Sequence, residues 1–465
     1  MTLMKSALLA SATTIIAVAS AQAADLPSKK AAPVSYVKVC DAYGAGFFNI
    51  PGTDTCVKLG GYVRAEYQYV PGKDTKTLSG TVQQSKKNQS ETGYEVRGRI
   101  DVDARTPTAA GPARTFIRLR AANTSGVRNA NLTDRGTYSF SDNSATGITA
   151  ESALVQWAGF TFGVAPENYA MMPSSIYHAN PWTGFPSGMK QIAYTRNFGG
   201  GLTATIALED RKDFSYDSTK STRPETAANI VGNVRLDQSW GFAAVHGMVG
   251  NNSVGNDQVN GTNGQKTYSA FAVGTTVSFK LPMIAPGDQL WLNANYADGI
   301  LGALLTGGGL SAVNRPANGR LLGGLLRVDT SLVQTGGTTN AASTTNVKSY
   351  DNTTGWNVGG QFTHYWSPQW RSNFVAGYVE FNPPTSKLDN IWGKGQLQNY
   401  VASLVYSPVR DLDIGIEVAY ASLKSKMQNA ASFDNANPPV RTAITSPAGL
   451  NENNLSVKFR VERSF

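Results

Sequence analysis

Apolar and polar residues alternate along much of this chain. In Val57–Val70 the odd positions Val57, Leu59, Gly61, Val63, Ala65, Tyr67 and Tyr69 are apolar or small, whereas the even positions include Lys58, Arg64, Glu66 and Gln68. A period of two puts these sets on opposite faces of a strand. Thr92–Arg105 repeats the pattern, with Tyr94, Val96, Gly98, Ile100, Val102 and Ala104 against Glu95, Arg97, Arg99, Asp101, Asp103 and Arg105. Ala113–Asn123 sets Ile117, Leu119 and Ala121 against Arg114, Arg118 and Arg120. Six ionisable residues of mixed sign on one strand face suit a water-filled lumen better than the outer face of a soluble sandwich.

The same reading gives strands at Thr149–Ala158, Phe160–Ala165, Met189–Asn197, Gly201–Asp210, Ala227–Asp237, Gly241–Gly250, Lys266–Lys280, Asp288–Asp298, Thr353–Trp366, Trp370–Phe381, Gly395–Ser407, Arg410–Ala421 and Asn453–Phe465, sixteen in all. Their connections sort into two lengths. The short ones are Thr106–Pro112, Gly159, Phe198–Gly200, Gln238–Trp240, Leu281–Gly287, Ser367–Gln369 and Pro408–Val409. These alternate with the long ones, Pro71–Glu91, Thr124–Ile148, Pro166–Gly188, Arg211–Thr226, Asn251–Gln265, Gly299–Asn352, Asn382–Lys394 and Ser422–Glu452. An all-β, antiparallel, up-and-down transmembrane barrel alternates tight turns on one side with longer loops on the other. Tyr365, Trp366 and Trp370 flank one tight turn and Tyr406 precedes another, where an interfacial girdle belongs.

Composition agrees. Mean hydropathy is −0.24 and no stretch beyond the first residues is apolar enough for a spanning helix. A barrel reconciles a polar average with membrane residence, because only every second residue meets lipid. Met1–Ala23 reads as an export signal: Lys5 is followed by the apolar Ala7–Ala19 and by the cleavage site Ala21-Gln22-Ala23. Residues 24–56 then form a periplasmic segment before a barrel at 57–465. Cys40 and Cys56 are the only cysteines, and an even count in an exported chain favours one disulfide; no histidine lies near enough to complete a metal site. The net charge of +9 is interleaved with acids along the strands, unlike the basic patch of a nucleic-acid binder.

The segment CDAYGAGFFNIPGTDTC (Cys40–Cys56), the Val37-Lys38-Val39 before it and the Gly61-Tyr62-Val63-Arg64 after it resemble the start of general porins from alphaproteobacterial outer membranes. The ending Phe459-Arg460-Val461-Glu462-Arg463-Ser464-Phe465 resembles that family's last strand. The resemblance implies a homotrimer of sixteen-stranded barrels in outer-membrane lipid and lipopolysaccharide. It also implies passive diffusion of small hydrophilic solutes and ions, with no cofactor, and recognition of the strand ending at Phe465 by the barrel-assembly machinery. Arg463 stands where many outer-membrane proteins place an aromatic or apolar residue.

In porins similar to this chain the long loop after the fifth strand folds inward and narrows the pore. Here that loop is Pro166–Gly188, charge-poor and aromatic, with Glu167, Tyr169, Tyr177, His178 and Trp182 as its candidate functional residues. Across from it the reading places Lys58, Arg64, Arg97, Arg99, Arg114, Arg118 and Arg120 as the constriction wall, paired in part with Glu66, Glu95, Asp101 and Asp103. Glu167 is the only acid on the loop to oppose them, which tilts the expected lumen towards anions. Enzyme readings lack supply: His178, His246 and His364 are scattered, and no H-E-x-x-H or G-x-S-x-G motif occurs. A substrate-specific channel for oligosaccharides and a surface adhesin or receptor are the alternatives.

Overall fold

A computed structural model describes residues 39–71, 91–126, 145–172, 188–210, 228–254, 266–304, 330–334, 347–382, 392–427, 430–433, 441–444 and 450–465. Sixteen antiparallel strands form one closed barrel: β1 Cys56–Tyr69, β2 Thr92–Thr106, β3 Ala113–Thr124, β4 Ala145–Trp157, β5 Phe160–Ala165, β6 Met189–Gly199, β7 Leu202–Glu209, β8 Asn229–Gln238, β9 Gly241–Val254, β10 Lys266–Lys280, β11 Gln289–Asp298, β12 Thr354–Tyr365, β13 Trp370–Asn382, β14 Trp392–Val409, β15 Leu412–Met427 and β16 Leu450–Ser464. Each pairs with its neighbours in sequence, and β16 closes the ring on β1 from Tyr62↔Ser464 to Tyr69↔Val457. The expected export signal lies outside the described residues.

Period-two patterning becomes an outside and an inside. Leu59, Val63, Val96, Ile100, Ile117 and Leu119 are exposed on the outer surface, as are Val234, Val245, Leu404 and Ile416 further round. The residues between them turn inward. An apolar belt of this extent on a water-facing surface would be anomalous; around a barrel it is the lipid face. Aromatics gather at both rims of the belt. Phe160–Tyr194 and Trp370–Tyr406 pack near the tight turns at 4.8 and 4.6 Å, and Tyr67–Tyr94 and Trp356–Tyr378 near the long loops at 4.9 and 5.1 Å. Ten residues separate Trp356 on β12 from Trp366 just past its end, about 26 Å of membrane depth at ~3.4 Å rise and ~40° tilt.

The tight turns have local causes. Ala158-Gly159 and Gly200-Gly201 take positive φ at both positions, the hairpin geometry that matches strand twist. Several strands run further than the sequence reading, β4 from Ala145, β9 to Val254 and β15 to Met427, and one tight turn moves. The turn expected at Pro408–Val409 sits at Arg410-Asp411, because β14 absorbs Pro408 in a register irregularity between Tyr406 and Val409 and Asp411 supplies the left-handed residue (φ 63°). Two short hairpins stand within expected loops, Thr330–Gln334 with Val347–Asn352 and Ala430–Phe433 with Arg441–Ile444.

Ahead of β1, Cys40 and Cys56 are joined in a disulfide. They bury Phe47 between them, and Phe48–Asn49 pairs with the first residues of β1. At the seam, the backbones of Gly61 and Phe465 exchange hydrogen bonds of 3.2 and 3.1 Å. Gly61 is required there, since a Cβ would stand 2.1 Å from the Arg99 carbonyl oxygen. Arg463, the departure from the common ending, lies exposed beside the last turn and donates to the Arg410 carbonyl.

Candidate functional site: a charged inner wall and an inward loop

The inner faces of β16, β1, β2, β3 and β4 carry a ladder of ion pairs. Strand register sets its order. Arg64 stands directly opposite Arg97, and Arg99 opposite Arg120, so four guanidiniums share the middle of the wall. Like charges facing each other across a sheet are destabilising unless compensated. Compensation comes from carboxylates one step away on the same face: Arg64–Glu462 at 2.6 Å, Arg97–Glu95 at 2.6 Å, Arg99–Asp101 at 3.3 Å and Arg120–Glu151 at 2.9 Å. Asp101 also takes Arg118 with both oxygens at 2.9 Å, and Asp103 takes Arg105 and Arg114 at 2.9 and 3.0 Å. Arg460 pairs with the buried Glu66. Such forked contacts fix the guanidinium plane as well as the charge.

Aromatic rings stiffen the ladder further. Tyr62, buried on the inner face, lies under Arg64 and Arg99 at 4.6 and 4.3 Å, and Phe116 lies beside Arg114 and Arg118 at 4.9 and 5.3 Å. The seven expected wall residues do not share one level. Arg64, Arg97, Arg99 and Arg120 form the central group with Arg118 next to it. Lys58 and Arg114 sit towards the tight turns, opposite Asp103 and Arg105 respectively. Lys58 donates to the Ala45 carbonyl at 3.2 Å, which ties it to the amino-terminal segment rather than to the central group.

The far wall is built differently. β5 stops after six residues, and residues 166–172 leave the sheet and cross the inner faces of β6 to β9. Asn168 donates through its backbone N–H and its amide to Glu209 of β7 at 2.8 and 2.7 Å, and to Gln191 of β6 at 2.6 Å. Its carbonyl accepts from Asn233 of β8 at 2.8 Å. Tyr169, fully buried, packs edge-on against His246 of β9 at 4.5 Å. Glu167 does not face the arginines. It is buried on this wall, and both its carboxylate oxygens lack a hydrogen-bond partner among the described residues. Burial, with Glu209 close by, pushes its carboxyl well above the usual carboxylate range. Glu167 is therefore buried against this wall rather than presented to the passage. Tyr177, His178 and Trp182 lie outside the described residues.

A sequence profile of the Porin subfamily matches residues 25–446. The chain belongs to that family. Over 262 residues it is 33% identical to Porin Omp2b of Brucella suis biovar 1, a stretch covering 54% of this chain and 66% of the Brucella one. Porin Omp2b of Brucella canis matches over the same span at 32%. The chain thus spans just under two thirds of the length of these relatives. Among solved structures, the outer membrane channel DcaP of Acinetobacter baumannii aligns over 90% of this chain and 99% of its own, with TM-score 0.56 and 15% identity, a likeness of fold. The apolar belt and the family together place this porin barrel in the bacterial outer membrane.

Several inner-face residues of this porin escape a strand-by-strand reading. Glu151, Glu462 and Arg460 complete the ladder, yet each comes from a strand whose partner in the ion pair is distant in sequence or across the seam. The even phase of Lys458, Arg460 and Glu462 in β16 was the available signal. Tyr62 was masked by its neighbours, since an aromatic in a membrane strand reads first as lipid-facing.

Proposed function

We propose that this chain forms a water-filled channel in the outer membrane for passive diffusion of small hydrophilic solutes and ions, with a mild preference for anions. The observation that carries the reading is the division of the inner face: a charged ladder on β16 and β1–β4 stands across from an inward loop whose acid is buried. Within the ladder eight guanidiniums (Arg64, Arg97, Arg99, Arg105, Arg114, Arg118, Arg120, Arg460) meet six carboxylates (Glu66, Glu95, Asp101, Asp103, Glu151, Glu462), an excess of two positive charges. Paired charges of this kind orient hydrated solutes without holding them, which suits a general pore over a saturable site. Arg64, Arg97, Arg99, Arg118 and Arg120 form the selective part of the wall in this reading, Lys58 and Arg114 its approach from the turn side, and Pro166–Gly188 the narrowing loop.

Assembly as a homotrimer, contact with lipopolysaccharide and recognition of the strand ending at Phe465 by the assembly machinery belong to the same proposal and rest on the family resemblance. Liposome swelling with graded sugars tests it. A sharp size cut-off without chemical preference supports a general channel; saturation by one sugar would favour a specific one; no swelling removes the channel altogether. Semi-native gels of the purified protein read the trimer.

A further inference from the structure

The inner wall from β10 to β15 is apolar towards the long-loop rim, which a water-filled lumen does not require. Strand register lines up Met248, Ala272, Ala297, Gly355, Phe381 and Gly395 as one inward row across β9 to β14. The next row inward from the rim continues through Val379, Leu397 and Leu423. Alanine and glycine hollow the wall, and the hollow is filled. Residues 299–304, the start of the connection after β11, turn into the barrel, and Ile300, Leu301, Ala303 and Leu304 are buried in one continuous apolar cluster with Ala297, Phe381, Leu397 and Leu423.

The turn is held by specific contacts. Gly299 takes φ +74° and donates to the Thr353 carbonyl at 2.9 Å, which reverses the chain at the rim. A single 3-10 turn follows at Leu301–Ala303. The Leu304 carbonyl accepts from the Asn357 amide at 2.7 Å, and the Asn357 side-chain oxygen accepts from Asn295 at 2.8 Å. Gly355 leaves the space Leu304 occupies, since a Cβ there would come within 2.7 Å of the leucine Cδ1. Asn357 and Gly355 share the inward phase of β12, whose Trp356 and Val358 are exposed outside, so all these contacts lie within the barrel. The same apolar cluster extends to Tyr169 on residues 166–172.

We propose that residues 299–304 are a second pore-narrowing limb, and that with residues 166–172 they confine solute to the side of the lumen bearing the ion-pair ladder. Leu301 and Leu304 are then specificity-determining residues: they set the size limit without touching the ladder. The proposal rests on the channel reading. Its basis is packing, because a limb anchored by buried leucines in a matched recess stays in place on the timescale of permeation.

The test is L301D/L304D, which makes the recess an unfavourable home for the limb. Folding is read from heat-modifiable gel mobility, and the pore from single-channel conductance and sugar-graded swelling. The expected result is a folded barrel whose conductance rises and whose size cut-off shifts to larger sugars. A folded variant with wild-type conductance and cut-off overturns the proposal. Should the aspartates block assembly, L301A/L304A removes the apolar anchors without adding charge, and an unchanged cut-off there overturns it equally. A wild-type protein that does not conduct refutes the channel reading instead, and the two failures are told apart by that control.

Discussion

Replacing Arg99 and Arg120 by glutamine tests the electrostatics of the wall directly. The double variant leaves six guanidiniums facing six carboxylates in place of eight facing six. Asp101 keeps Arg118 at 2.9 Å and Tyr62 keeps Arg64 at 4.6 Å, so the ladder retains its frame. Two excess charges about 8 Å from a permeating ion contribute about 1 kcal/mol in water. Screening at about 0.1 M salt reduces this to about 0.5 kcal/mol. An anion gains and a cation loses that amount, giving a permeability ratio of about 5 in favour of anions. At about 1 M salt the ratio falls to about 1.3. R99Q/R120Q is expected to lower it towards unity at the lower salt. The assay is the reversal potential across a planar bilayer in a potassium chloride gradient. A cation-preferring wild type, or a double variant that keeps the wild-type ratio at low salt, would refute the reasoning.

Other expectations follow from single contacts. Gly61→Ala pushes a methyl against the Arg99 carbonyl and the Phe465 ring, 2.1 and 2.9 Å away, so the heat-modifiable folded band should fall sharply while a control at the open Gly98 keeps it. Arg460→Leu removes the guanidinium paired with the buried Glu66 and leaves Arg64 at 3.9 Å among its neighbours, and a loss of about 3 kcal/mol should lower the temperature at which the band converts. Glu167, whose carboxyl is raised by burial, favours the folded inner loop fully below the ordinary carboxylate range, and that contribution is lost as pH rises through the raised value. Closures and current noise should therefore increase towards alkaline pH in the wild type and lose that dependence in Glu167→Gln; identical profiles would disprove the link.

The strand count and the sidedness of the loops were legible because lipid enforces alternation on every outward face, and Leu59, Val63, Val96 and Ile100 could hardly read otherwise. The short fifth strand was visible too, as a break in the pattern after Ala165. Legibility ended where inward residues answer to something other than water. Phe381, Leu397 and Leu423 look like ordinary strand hydrophobics, and only the position of residues 299–304 explains why they point inside. Glu167 had the chemistry of an eyelet acid but not the placement, since Asn168, one residue on, commits the loop to the wall of β6–β8. The turn at Arg410-Asp411 was displaced because proline marks where a strand loses a donor, not always where the chain reverses.

Apart from the seam, every strand pairing in the barrel joins neighbours along the chain. The seam joins Arg64 to Glu462, residues 398 apart in sequence, and closing a loop of that length costs about 5 kcal/mol of chain entropy. Fifteen local hairpin steps can thus proceed independently of ring closure, while an unclosed sheet keeps two edges that could recruit other strands. The ion pairs at the seam act on that one step, so their variants should slow maturation of the barrel more than they alter the channel once it has closed.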